Sequence, residues 1–144
     1  MLKRVDHVNV VVNDLCAAVS FFKLLGFKEG DSSKLEGEWI SKIVGLENVS
    51  ADYVSLGIDG AETTVELIKY YSPQIDNQQN QNSANLQGIR HIAFAVDDIE
   101  SVMERLSNNN VDFFSEIIKY PKTGKKLVYF YGPEGIILEL AQYS

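Results

Sequence analysis

"VDHVNVVVND", residues 5–14, sets a single imidazole inside a valine-rich run and closes on Asn13 and Asp14. "IRHIAFAVDD", residues 89–98, has the same form, with a histidine third, apolar residues after it and an acidic pair at the end. The offset is 84 positions, from His7 to His91. The likeness runs on past the histidines. Leu15, Ala18, Val19 and Phe22 follow Asp14, and Ile99, Val102, Met103 and Leu106 follow Asp98 at the same offset. That spacing is one face of a helix. Each helix has an aspartate before it, whose side-chain oxygen suits the N-cap. Gly26 after the first, and Asn109 or Asn110 after the second, suit the turn that ends a helix.

The segments after each helix read as strands. The first half continues with "FKEG", "ADYVSLGI" and "TTVELIKY", the second with "VDFFSE", "KLVYFY" and "GIILELAQY". Both halves therefore predict strand, helix, strand, strand, strand. The expected fold class is α+β, with two βαβββ modules at 1–70 and 88–144. Between them, residues 71–87 are polar and rich in Asn and Gln, an exposed linker. Neither half is long enough to be comfortable alone, so both are expected to pack into one domain spanning 1–144. The first half carries an extra segment, 32–50, read partly as a short helix displaying Trp39, Ile43 and Leu46.

Alternate residues of a strand point to opposite faces. In the first strand Val8, Val10 and Val12 share the face a helix would cover, leaving His7, Asn9 and Val11 on the other. The second copy sorts in the same way, with His91, Ala93 and Ala95 opposite Ile92, Phe94 and Val96. In the last strand of each half, Val65 and Leu67 oppose Glu66, and Leu138 and Leu140 oppose Glu139. Each half thus supplies one histidine and one glutamate on its non-helix face. Any one of them alone is an ordinary strand residue. The joint pattern is less easily dismissed, because unpartnered buried charge costs several kcal/mol, roughly, and a divalent cation offsets that cost. Two histidines and two carboxylates suit Ni, Co, Zn, Mn or Fe, and softness alone does not choose among them.

Composition narrows the remaining classes. The chain has 144 residues, 45% hydrophobic and 23% charged, as in soluble globular proteins. Thirteen basic against 20 acidic side chains leave a formal charge of −7, which argues against nucleic acid as a partner. No apolar run reaches the roughly 20 residues a membrane helix needs, and no signal peptide is visible at the N-terminus. No glycine-rich phosphate loop and no Gly-x-Ser-x-Gly turn is present. One cysteine, Cys16, forms no internal disulfide and fits a reducing, cytoplasmic setting. Cys16 is expected to be packed, Trp39 to be a core plug or a lid, and "KTGKK" (122–126) to be a hairpin turn with solvated lysines. Tyr129 and Tyr131 share a parity that places them on the site face.

With its paired "DHVNVVVND" and "RHIAFAVDD" and its closing "YFYGPEGIILELAQ", the chain resembles the vicinal oxygen chelate superfamily. That group includes glyoxalase I, methylmalonyl-CoA epimerase, extradiol dioxygenases, and fosfomycin-resistance and bleomycin-binding proteins. Gly132 stands where the family usually has Asp before Pro. The resemblance implies facing curved mixed sheets with helices outside, and metal ligands at His7, Glu66, His91 and Glu139. It implies a glyoxalase-type lyase or isomerase that takes a carbon-bound proton through a metal-stabilised enediolate, with Glu139 or Glu66 as the base. Asn9, Tyr53, Ala93 and Tyr129 are the expected substrate contacts. Glu66 resembles the two-His, two-Glu set of bacterial glyoxalase I, where many epimerases have glutamine. Bleomycin-binding relatives lack the metal set. An epimerase, a dioxygenase, or a binding protein without proton transfer remain the alternatives. The family builds its site within one chain or across two, and a homodimer acting on a small molecule is the expectation here.

Overall fold

The computed structural model describes residues 1–75 and 83–144. The chain divides into two compact units, Met1–Asn77 and Gln78–Ser144. The polar stretch 76–82 lies outside the described residues, while Ser83, Ala84, Asn85 and Gln87 beside it are exposed.

In the first unit, β1 (His7–Val11) leads through α1 (Leu15–Leu24) to β2 (Lys28–Glu36), α2 (Glu38–Val44), β3 (Ser50–Gly57) and β4 (Thr64–Ser72). The sheet order is β1-β4-β3-β2, with β1 parallel to β4 and the other pairs antiparallel. The second unit repeats the plan with β5 (His91–Ala95), α3 (Ile99–Ser107), β6 (Ile118–Lys119), β7 (Lys126–Tyr131) and β8 (Ile137–Gln142). Its order is β5-β8-β7-β6, again with one parallel pair, β5 and β8. A parallel pair needs a long crossover between its strands. Here the first strand of each unit meets the last, and everything between them makes that crossover.

Both helices start as the sequence predicts. The Asp14 carboxylate accepts from the amide of Ala17 at 2.9 Å, and that of Asp98 from the amide of Ser101 at 3.0 Å. Gly26 and Asn110 take positive φ after the helices, 96° and 62°, the left-handed turn that favours Gly and then Asn. Ala18 and Phe22 of α1, and Ile99 and Leu106 of α3, are buried. The strands supply the rest of each core: Val65 and Leu67 in the first unit, Leu138, Leu140, Val128 and Phe130 in the second.

Four expectations need correction. "VDFFSE" is not a strand: Phe113 makes one isolated bridge to Phe130, bends follow at 114–116, and the strand is displaced to β6. Trp39 is not a core plug. Helix α2 forms where expected but turns Ile40 inward, leaving Trp39 and Ile43 outside at 55% and 71% exposure. Cys16 is exposed, because α1 buries Ala18 and Phe22 instead. The lysines of the 122–126 turn are not all solvated. Lys126 donates to Glu100, and Lys125 is drawn back toward the sheet.

Candidate metal centre

The two parallel strand pairs set the polar residues side by side. In the first unit His7 is in register with Thr64, and Asn9 with Glu66. In the second, His91 is in register with Ile137, and Ala93 with Glu139. Facing residues of parallel neighbours share a sheet face, so the histidine and glutamate of each unit lie one step apart on the same side. His7 Nε2 is 3.9 Å from Glu66 Oε2, and His91 Nε2 is 3.1 Å from Glu139 Oε2. Within each unit, among the described residues, no group of three His, Cys, Asp or Glu side chains is drawn together for an ion. Each unit presents its donors as a pair.

The first pair is oriented from behind. His7 Nδ1 donates to Asp6 Oδ2 at 2.9 Å, and Arg4 donates to the other oxygen of Asp6 at 3.1 Å. The hydrogen bond to Asp6 holds the His7 imidazole above its ordinary pKa, with the nearby Glu66 charge acting in the same direction. The His7 hydrogen bond, then that of Arg4, holds Asp6 below the usual carboxylate range. With Nδ1 protonated, the neutral ring turns a lone pair at Nε2 toward Glu66. A histidine fixed through its far nitrogen by a carboxylate is the usual outer-shell arrangement at a metal. Strand alternation gives no signal for Asp6, although it directly precedes His7.

The second pair is the more buried. Glu139 is 5% exposed, and its Oε1 is a buried side-chain oxygen with no hydrogen-bond partner. Lys125 Nζ is 3.7 Å from that oxygen, too far for a hydrogen bond. The Tyr129 ring packs on His91, centroids 4.8 Å apart, and its backbone is in register with Glu139. A buried carboxylate oxygen left unbonded is costly. An imidazole beside a carboxylate, as each unit presents, is a pair of donor types that a divalent transition cation takes.

The units differ at one matched position. Asn9 Nδ2 donates to Glu66 Oε1 at 3.2 Å. Ala93, its counterpart, offers Glu139 nothing. Of the four expected substrate contacts, Asn9, Ala93 and Tyr129 each adjoin a donor pair. Tyr53 is in register with Ile68, one step further along the same face from the Ser55–Glu66 pair.

The sequence pattern described as Glyoxalase/Bleomycin resistance protein/Dioxygenase superfamily matches residues 4–140. The chain belongs to that superfamily. Among curated relatives, it is 29% identical over 144 residues to the uncharacterized protein YwbC of Bacillus subtilis, covering 99% of each chain. It is also 29% identical over 148 residues to the mitochondrial methylmalonyl-CoA epimerase of Homo sapiens, covering 98% of this chain and 74% of that protein. Among solved structures, a glyoxalase family protein from Bacillus cereus superposes with a TM-score of 0.90 at 27% identity, over 99% of this chain and 95% of the other. The fosfomycin resistance protein FosX of Listeria monocytogenes, in complex with Mn(II), shares the fold at a TM-score of 0.67 and 19% identity, over 100% of this chain and 95% of that one. One of these relatives is thus an enzyme, and one of the proteins that share the fold holds Mn(II). No helix among the described residues is long and apolar enough to cross a membrane.

Proposed function

We propose that this chain is a divalent-metal-dependent lyase or isomerase of the glyoxalase type, acting on a small substrate with vicinal oxygens. His7, Glu66, His91 and Glu139 would hold the cation. The observation that carries this reading is Glu139, a buried carboxylate with one oxygen unbonded beside a histidine. The matched His7–Glu66 pair in the other unit supports it, because duplication alone does not retain ionisable groups at equivalent places.

A bound cation supplies Lewis acidity to a pair of neighbouring substrate oxygens, making an adjacent carbon-bound proton more acidic. The chain's own groups do the rest. Glu139 has a free oxygen to take that proton and return it to the next carbon. Glu66, tied by the Asn9 amide, is the second candidate base. Asp6 holds the His7 ring in place, and the Tyr129 ring does the same for His91. The buried strands behind Glu139 keep water from its carboxylate.

A methylmalonyl-CoA epimerase-type reaction is the second reading, favoured by the 29% identity to the human epimerase. It would begin with the same proton removal at the same four residues, with a proton returned to the opposite face of the same carbon. A panel of glutathione-methylglyoxal hemithioacetal, methylmalonyl-CoA, catechols and fosfomycin with thiols, run on metal-loaded protein, separates these possibilities. Calorimetric titration with Ni²⁺, Co²⁺, Mn²⁺ and Zn²⁺ tests the site itself. Tight 1:1 binding that is lost in His7→Ala and in His91→Ala is expected, and no binding of any of the four refutes the reading. The oligomer we propose is a homodimer.

A further inference from the structure

The second unit holds a cleft that the proton chemistry leaves unused. Its volume is about 570 Å³, and Phe114, Ile118, Tyr120, Leu127 and Tyr129 wall it, with Lys125 at its side. That size is typical of small-molecule sites. Phe114, Ile118 and Tyr120 are large side chains left 41–47% exposed around one opening. Clustered exposure of this kind marks a binding surface, where scattered exposure does not.

The cleft leads to the candidate donors. Phe114 meets the Tyr129 ring edge-on at 5.8 Å, and Tyr129 lies 4.8 Å from the His91 ring. The turn between β6 and β7 closes with Tyr120 N donating to Lys125 O at 2.7 Å and Gly124 N to Tyr120 O at 2.8 Å. That closure carries Lys125 inward. Its side chain is 24% exposed, with Nζ 3.7 Å from Glu139 Oε1 and 5.4 Å from the centre of the Tyr143 ring. One cation and an aromatic wall therefore meet beside Glu139.

We propose that this cleft receives the apolar side chain of a small organic anion, and that Lys125 pairs with its carboxylate. The substrate class is then an acid carrying an aryl or branched alkyl group next to its vicinal oxygens. The chemistry at those oxygens rests on the metal-site reading, whereas capture of the apolar group does not. A cation held at Glu139 would leave the Lys125 ammonium free for another counter-charge, which the substrate anion provides. The same walls disfavour a thiol peptide such as glutathione here. Its two carboxylates, ammonium and amides would be buried against side chains with few partners to offer them.

Three probes separate the contributions: 3-phenyllactate, lactate and the neutral 3-phenyllactamide. They are titrated into the full chain, metal-free and Co²⁺-loaded, and followed by amide chemical shifts in ¹⁵N spectra. In metal-free protein, 3-phenyllactate is expected to shift amides between 114 and 129 and to bind about tenfold more tightly than lactate. In Co²⁺-loaded protein, Lys125→Met, or the neutral amide probe, is expected to weaken binding about fivefold. Ile118→Ser, at an exposed position, weakens 3-phenyllactate and leaves lactate unchanged. Equal affinity for 3-phenyllactate and lactate, or shifts confined to other residues, overturns the cleft. An unchanged affinity in Lys125→Met overturns the anion pairing. If no cation binds while the 114–129 amides still respond, the metal site fails and the cleft stands. If a cation binds and the probes do not differ, the cleft fails and the metal site stands.

Discussion

A carboxylate buried between Leu138 and Leu140, with one oxygen unbonded, works against the stability of the metal-free fold. A buried oxygen left without a hydrogen bond costs about 1–3 kcal/mol, and an apolar side chain of similar size removes that cost. Glu139→Met is therefore expected to raise the metal-free protein's stability by about 1 kcal/mol, read by urea denaturation, while removing cation binding. Glu139→Gln keeps the shape and removes the charge, and its metal-dependent turnover is expected to fall at least a hundredfold, roughly the scale of general-base loss. Asp6→Asn tests the support behind His7. Cation affinity is expected to drop about tenfold, and an NMR titration of the metal-free protein should show the His7 imidazole pKa moving down toward its ordinary value. Strand parity alone located His7, Glu66, His91 and Glu139 on their common faces, because a period of two admits only two answers. Asp6 was not legible, nor was the inward path of Lys125 toward Glu139. Each depends on a side chain's path out of a strand end or turn, which alternation does not encode.

Among the elements, the helices and their caps followed the sequence closely, since N-cap aspartates, apolar spacing and terminal Gly or Asn all agreed. Asp98→Ala is expected to cost about 1 kcal/mol, measured from the denaturation midpoint. The β6 region departs from expectation because "VDFFSE" has strand composition, yet pairing and burial with β7 decide where a strand forms. Phe113 packs its ring 5.4 Å from that of Phe130, while the backbone bends away at 114–116. The departure at Gly132 also has a local cause. A Cβ there would lie 2.7 Å from Leu138 Cδ1 and 2.9 Å from Ile136 Cγ1, and Leu138 is fully buried. The clash, rather than any need for unusual φ, excludes a larger residue. Gly132→Ala is expected to destabilise by about 1–3 kcal/mol through overpacking.

At the scale of the molecule, the chain is two copies of one plan, and each copy is built so that its first and last strands meet. The same registers recur in both: His7 with Thr64 and Asn9 with Glu66, then His91 with Ile137 and Ala93 with Glu139. At a hundred times its Kd, a cation that binds only the folded chain adds about 2.7 kcal/mol. A higher thermal transition is expected on loading, checked by calorimetry, and an unchanged one would contradict cation binding at these residues.

Duplication tends to give two units with the same side chains in the same surroundings. The Asn9–Ala93 difference breaks that equivalence. One carboxylate is tethered by an amide and its twin has an oxygen without a hydrogen bond, so the first is held while the second is not. A one-residue drift between two copies is enough to give matched carboxylates different freedom.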